Sequence, residues 1–245
     1  MKYMIWPTRA RSIAPRRPVS ETALPMPDGF ERRSSGDQAA LYIRRLIFDG
    51  QLRPGSRVPQ DDVAKRLGIS RIPVREALIA LEREGWVTIE MHRGAFVDAL
   101  EPQAVRDHYE LYGLTYGFAV ERAVDRAGPH FVSTLVELER EIADADDPDT
   151  IWKLTLRFHD VVVGAARSPR IKVVLRALPA LIPGNFFALV PGAIDAEKRG
   201  FAAIVRAVKK GDGRQAADQY VKMMRRQGDH VVDVLAARGL FEEQA

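Results

Sequence analysis

Residues 70–85 read SRIPVREALIALEREG, and this stretch decides the fold. Val74, Leu78 and Leu81 recur at i, i+4 and i+7, which gathers them into one apolar stripe on a helix. Arg71 and Arg75 are four residues apart on a different face, so their guanidinium groups sit one turn apart near the helix start. Ser70 is expected to cap the helix. Pro73 falls at the third helical position, where its missing N–H would have no intrahelical partner anyway. Gly85 stops the helix. Two arginines at the start of a short amphipathic helix suit the acceptor edges of guanine and the phosphates beside it. The competing reading is a solvated face whose arginines pair with Glu76 or Glu82.

The flanks decide between the two. From Asp37, Ala40, Ile43 and Ile47 recur at helical spacing until Asp49-Gly50 ends the run. Arg53-Pro54-Gly55 is a turn, and Pro59 to Leu67 forms a second short helix closed by Gly68. After Gly85, Trp86-Val87-Thr88-Ile89 and Ala95-Phe96-Val97 read as two strands around a turn at Met91-His92-Arg93-Gly94. Helix, helix, turn, helix, hairpin is the order of a winged helix-turn-helix.

Beyond Leu100 the pattern is helical throughout, with helices expected over 101–127, 130–145, 149–167, 169–190, 195–211 and 213–237. Gly128-Pro129, Asp146-Asp147-Pro148 and Ser168-Pro169 supply breaks with proline just inside a helix start. Pro179 and Pro183 are expected to kink or interrupt the fourth of these helices. The fold class is therefore mainly α: an N-terminal winged helix-turn-helix over 37–98 and an all-α antiparallel bundle of six or seven helices over 99–240.

Composition narrows the function. The chain has no cysteine, which excludes disulfides, zinc fingers and cysteine nucleophiles and makes the cytoplasm the expected location. No window of eighteen apolar residues occurs, so no membrane partner is expected. Residues 1–98 carry 17 Lys/Arg against 12 Asp/Glu, whereas 99–245 carry 20 against 21. The basic front half is the side expected to meet a polyanion. Much of that excess lies in residues 1–36, which hold five prolines and show no helical or alternating period. They are expected to form a disordered arm, either a plain tail or an aid to phosphate binding.

Three stretches carry a resemblance: Asp49-Gly50-Gln51-Leu52-Arg53-Pro54-Gly55, Ala64-Lys65-Arg66-Leu67-Gly68-Ile69-Ser70-Arg71-Ile72-Pro73-Val74-Arg75-Glu76-Ala77-Leu78, and Leu81-Glu82-Arg83-Glu84-Gly85-Trp86. Residues 38–98 resemble the winged-helix domain of the GntR family of bacterial regulators, and the helical half resembles its FadR-type (FCD) branch. The resemblance implies DNA contacts from Ser70, Arg71, Ile72, Pro73 and Arg75, and from His92, Arg93 and Gly94 at the wing tip. Family members also use a residue early in the second helix. That place holds Asp61, which does not suit phosphate, so the contact is not carried over.

FCD domains commonly hold a divalent metal, and the resemblance places its ligands at Thr155, His159, Phe201 and Met223. Only His159 is a good donor, so the expectation is no metal and no cofactor. Tyr112, Thr155, His159, Phe201 and Met223 are expected to line a partly apolar effector pocket instead. Tyr109 is expected in the core, and His108 and His230 at the surface. The Arg-then-Glu pair that the family often carries on the first bundle helix is replaced by Tyr112 and Tyr116, which removes an anchor for a carboxylate effector. Neither a nucleophile triad nor a carboxylate pair near His159 supports an enzyme. The expected function is a homodimeric repressor that binds a palindromic double-stranded DNA operator and responds to a small-molecule effector. The alternative is an effector-free regulator whose bundle serves only for dimerisation.

Overall fold

The computed structural model describes residues 34–178, 181–182 and 185–241. The expected arm lies outside these except for its last three residues, and there the helix begins earlier than Asp37. Ser34 caps the first helix, α1 (Ser35–Phe48), through a reciprocal box with Asp37.

α2 (Gln60–Leu67) and α3 (Arg71–Arg83) follow, then β1 (Val87–Glu90) and β2 (Gly94–Val97), paired antiparallel with Val87 opposite Val97. The stripe of α3 is buried as its spacing requires: Val74, Ala77, Leu78 and Leu81 pack against α1 at Ala39, Ala40, Ile43 and Ile47. Each large apolar side chain so buried contributes roughly 1.5–3 kcal/mol. Trp86 closes the end of this small core and is fully buried. The segment before α2 also joins the hairpin. Gly55 N and Val58 N donate to the carbonyls of Val97 and Ala95, so β2 is paired on both edges.

The second half holds α4 (Pro102–Arg126), α5 (Pro129–Asp144), α6 (Pro148–Ala165), α7 (Pro169–Arg176), α8 (Phe186–Leu189), α9 (Ala193–Lys209) and α10 (Gly213–Ala237). Pro102, Pro129, Pro148 and Pro169 each stand at a helix start, where the ring's fixed φ helps and the missing N–H costs nothing. The expected helix over 169–190 is two helices. It ends at Arg176, before Pro179, and resumes only at Phe186. Pro179 and Pro183 themselves lie outside the described residues.

α4 and α10 run antiparallel along nearly their full lengths. Arg106 pairs with Asp229 and Glu110 with Arg225, Gly113 lies against Val221, and Gly117 against Ala217. A Cβ at Gly113 would stand 2.8 Å from the Val221 Cα, so this crossing tolerates no side chain there. The far end of α10 reaches back to the winged helix. The Arg238 guanidinium lies 3.9 Å over the Phe48 ring, donates to Phe48 O at 3.3 Å and pairs with Asp49 at 3.6 Å. Leu100 N donates to Leu240 O beside it. A single helix thus runs from the interior of the bundle to the end of α1. Among the described residues no helix is long and apolar enough to cross a membrane.

Candidate nucleic-acid interface and bundle interior

Helix α3 turns its start toward solvent because its apolar stripe consumes the opposite face. Arg71, Ile72 and Arg75 are exposed, and Ile72 is 68% so. Ile72 stands beside Arg71 and Arg75 at this exposed helix start. Pro73 is half-buried behind it. Ser70 stands at the N-cap position with extended backbone but makes no capping hydrogen bond, contrary to expectation. Its exposed hydroxyl is not engaged by the amides at the start of α3.

A cleft of about 850 Å³ separates this helix from the wing. Arg57, Asp61, Arg71, Arg75, Ile89 and His92 are among its walls. The wing tip has the backbone that its sequence demands. His92 takes φ +62° and Gly94 φ +114°, which lets a three-residue loop join the strands after Glu90. Arg93 is tied back, paired with Glu90 and lying 5.4 Å over the Phe96 ring. Met91 and His92 are the exposed apex, Met91 at 82%.

Asp61 has a role that sequence reading missed. Its carboxylate grips Arg71 with both oxygens, Nε to Oδ1 at 2.5 Å and Nη2 to Oδ2 at 2.7 Å. Neither Glu76 nor Glu82 pairs with Arg71 or Arg75; Glu82 instead accepts the Ile89 amide and braces the wing. Arg75 has no ion-pair partner among the described residues. The Asp61 grip uses the Nε–Nη2 edge of Arg71. It leaves the Nη1 end free, and a guanidinium can still present that end bidentately to guanine.

Inside the bundle, His159 on α6 is buried beneath an aromatic stack. The Tyr116 ring lies over it with centroids 4.3 Å apart, Tyr112 stacks on Tyr116, and Phe201 stands 5.6 Å away. The His159 Nδ1 is 3.4 Å from the Tyr220 hydroxyl. Burial pushes the imidazole pKa down to about 3, so the ring is neutral at ordinary pH. Thr155, one turn earlier, is buried with its hydroxyl unpartnered among the described residues. Met223 is fully buried and its thioether fills the place a side chain would take at Gly200. Tyr112 is half-buried and donates to the Leu178 carbonyl. The structure thus stacks Tyr112, Tyr116 and His159, with Phe201 tilted against His159, Thr155 a turn from His159 and Met223 of α10 against Gly200. Tyr109 is buried as expected. His108 and His230 are half-buried rather than at the surface, His108 edge-on to Tyr109 and Tyr112.

The positions that would hold a divalent ion do not suit one. Phe201 offers no donor, Met223 only a thioether and Thr155 only a hydroxyl, and one imidazole is too few. Two further interior groups were not foreseen. Glu197 on α9 is completely buried, and Gln227 on α10 donates to its Oε2. Burial pushes the Glu197 carboxyl up to about 8, against the opposing effects of Gln227 and the Arg226 charge. Its signal was in the sequence: Glu197 stands in line with Ala193, Gly200, Phe201 and Ile204 on the apolar face of α9.

Residues 36–97 match the bacterial regulatory proteins of the gntR family, and residues 107–226 match the FCD domain. An uncharacterized HTH-type transcriptional regulator of Mycobacterium tuberculosis (strain H37Rv) is 33% identical over 155 residues, 62% of this chain and 62% of that protein. The match therefore spans less than two thirds of that relative's length. An uncharacterized HTH-type regulator from the TAR-I ttuE-ttuC' intergenic region of Agrobacterium vitis is 30% identical, over 62% of this chain and 94% of its own. Among solved structures, E. coli McbR/YncC superposes with a TM-score of 0.55 at 19% identity, covering 82% of this chain and 98% of that one, and so shares the fold. The matched families and relatives are regulators of transcription, not enzymes. The chain belongs to the GntR family of bacterial transcriptional regulators, with an FCD domain following its winged helix.

Proposed function

We propose that the protein is a homodimeric, sequence-specific DNA-binding repressor whose FCD bundle receives a small-molecule effector. The observation that carries this reading is the exposed start of α3, where Arg71, Ile72 and Arg75 face a wing across an open cleft. Ser70, Arg71, Ile72, Pro73 and Arg75 enter the major groove, and His92, Arg93 and Gly94 approach the adjacent minor groove. Arg71, held by Asp61, reads a guanine through its free end.

Two recognition helices are needed for a palindrome. The face of α4 carrying Leu111, Leu114 and Phe118, each about half exposed, supports a second copy as its cover. Occupation of the operator by the dimer then excludes other proteins from it. The effector site lies around Tyr112, Thr155, His159, Phe201 and Met223 and is metal-free. α10 connects that site to α1 through Arg238.

The test combines three measurements on the full chain. Analytical ultracentrifugation should give a dimer that Phe118→Glu splits. Electrophoretic mobility shift with a selected duplex should give a two-fold-symmetric footprint. Elemental analysis after chelator-free purification should give no stoichiometric zinc, nickel or manganese. A stable monomer that binds all duplexes alike would overturn the reading of dimer and operator, and a bound metal would overturn the reading of the pocket.

A further inference from the structure

We propose that the effector is a small protonated amine, received by the Glu197 carboxyl within the tyrosine-walled interior of the bundle. This deepens the effector-site reading above and rests on it.

The buried polar side chains among the described residues are Thr155, His159, Glu197 and Gln227. No lysine or arginine is among them, and the basic charge felt at Glu197 is that of Arg226, an exposed residue beside Gln227 on α10. His159 cannot supply one, since burial keeps it neutral. The one buried acid is half satisfied. Gln227 occupies Oε2 of Glu197, whereas Oε1 is buried with no partner among the described residues. An unsatisfied buried acceptor is costly, and an incoming N–H donor would relieve it. The groups coupled to it electrostatically include the phenols of Tyr109, Tyr116 and Tyr220, whose ionisation a charge on Glu197 opposes, and the Arg226 guanidinium. Tyrosine faces attract cations and offer nothing comparable to a carboxylate.

Room for the guest comes from one flexible side chain. Gly200 lies one turn after Glu197 on α9, and Met223 lies one turn before Gln227 on α10. The Met223 thioether fills the space that Gly200 leaves empty, one helical turn along from the Glu197–Gln227 pair on both helices. Methionine is unbranched and repacks at little cost. The guest therefore requires Met223 to swing aside from Gly200. On binding, the ammonium donates N–H to Oε1 of Glu197. Where the empty site holds the carboxyl protonated, that proton leaves to solvent and a buried ion pair remains.

The decisive experiment is thermal shift on the full chain with n-butylamine and benzylamine against butyrate, benzoate and n-butanol, repeated with Glu197→Gln. DNA release by each compound is measured in parallel. The amines should raise the melting temperature and release DNA, the carboxylates should not, and Glu197→Gln should weaken amine binding by about tenfold or more. If Glu197→Gln does not fold, the amine-against-carboxylate contrast on the wild-type chain still decides. The proposal is overturned if the amines give no shift, if they act equally on Glu197→Gln, or if a carboxylate or the alcohol acts instead. In the last case the bundle is still a sensor and only the effector class is wrong. If no compound of any class shifts stability or releases DNA, the sensor reading fails with it.

Discussion

Arg71→Ala and Asp61→Ala perturb the two sides of one contact and should have opposite signatures. Asp61 holds Arg71 at 2.5 and 2.7 Å, yet both side chains are 65% exposed. An ion pair that wet contributes at most about 1 kcal/mol to folding, so neither substitution should move the melting temperature by more than a few degrees. The effect belongs to DNA. Loss of a bidentate arginine–guanine contact is worth roughly 1–3 kcal/mol, about 5- to 150-fold in operator affinity. Arg71→Ala should therefore lose that much on the selected operator, concentrated at one base pair of each half-site. Asp61→Ala keeps the guanidinium but frees it to wander. It also removes a negative charge from the DNA-facing cleft, so affinity for unrelated duplex should rise and the salt dependence should steepen by about one phosphate contact. The ratio of specific to non-specific affinity should fall. Fluorescence anisotropy with operator and scrambled duplexes over a salt series measures all of this. The reasoning is refuted if Arg71→Ala binds the operator as tightly as wild type. It is also refuted if Arg71→Ala weakens every sequence equally, which would make Arg71 a phosphate contact, or if Asp61→Ala leaves the ratio unchanged.

Other outcomes follow from the bundle. The Glu197 carboxyl is raised in the fold from 4.5 to about 8, so it stabilises the fold at low pH and that contribution is lost as pH rises through 8. Melting temperature should fall more steeply between about pH 5 and about pH 9 in wild type than in Glu197→Gln, and equal slopes would remove the buried acid from the account. His159 is lowered from 6.5 to about 3, so its contribution is present above 6.5 and lost as pH falls toward 3. His159→Phe should flatten that acid limb while keeping the stack on Tyr116, which circular dichroism melts at a series of acid pH values will test. Gly113→Val places a Cβ 2.8 Å from the Val221 backbone and should cost about 1–3 kcal/mol or more in urea unfolding. A neutral result would mean that α4 and α10 do not cross as closely as described.

The winged helix was legible because its signals are local. Val74, Leu78 and Leu81 settle which face of α3 is buried, and whatever is left over, Arg71 and Arg75 included, must be outside. Prolines at 129, 148 and 169 mark helix starts for the same local reason. Pro179 and Pro183 announced an interruption, but how far a break extends depends on what the freed segment packs against. What sequence reading missed lies between elements. The grip of Asp61 on Arg71 depends on the angle between α2 and α3, and the hydroxyl beside His159 comes from Tyr220, 61 residues away. His108 was assigned to the surface because no partner was near it in sequence, whereas its neighbours are the tyrosines of its own helix. Glu197 is a different failure, since an acid in an apolar stripe was visible. The ligand positions implied by resemblance do not include it, although Glu197 lies one turn from one of them, Phe201.

Selection from a random duplex library with the full chain asks whether the protein reads DNA sequence as a dimer. An inverted repeat should be enriched whose half-sites each contain a guanine that Arg71→Ala no longer prefers, with two chains bound per duplex. Enrichment of no motif, or of a motif with no two-fold symmetry that Arg71→Ala selects equally well, would contradict it.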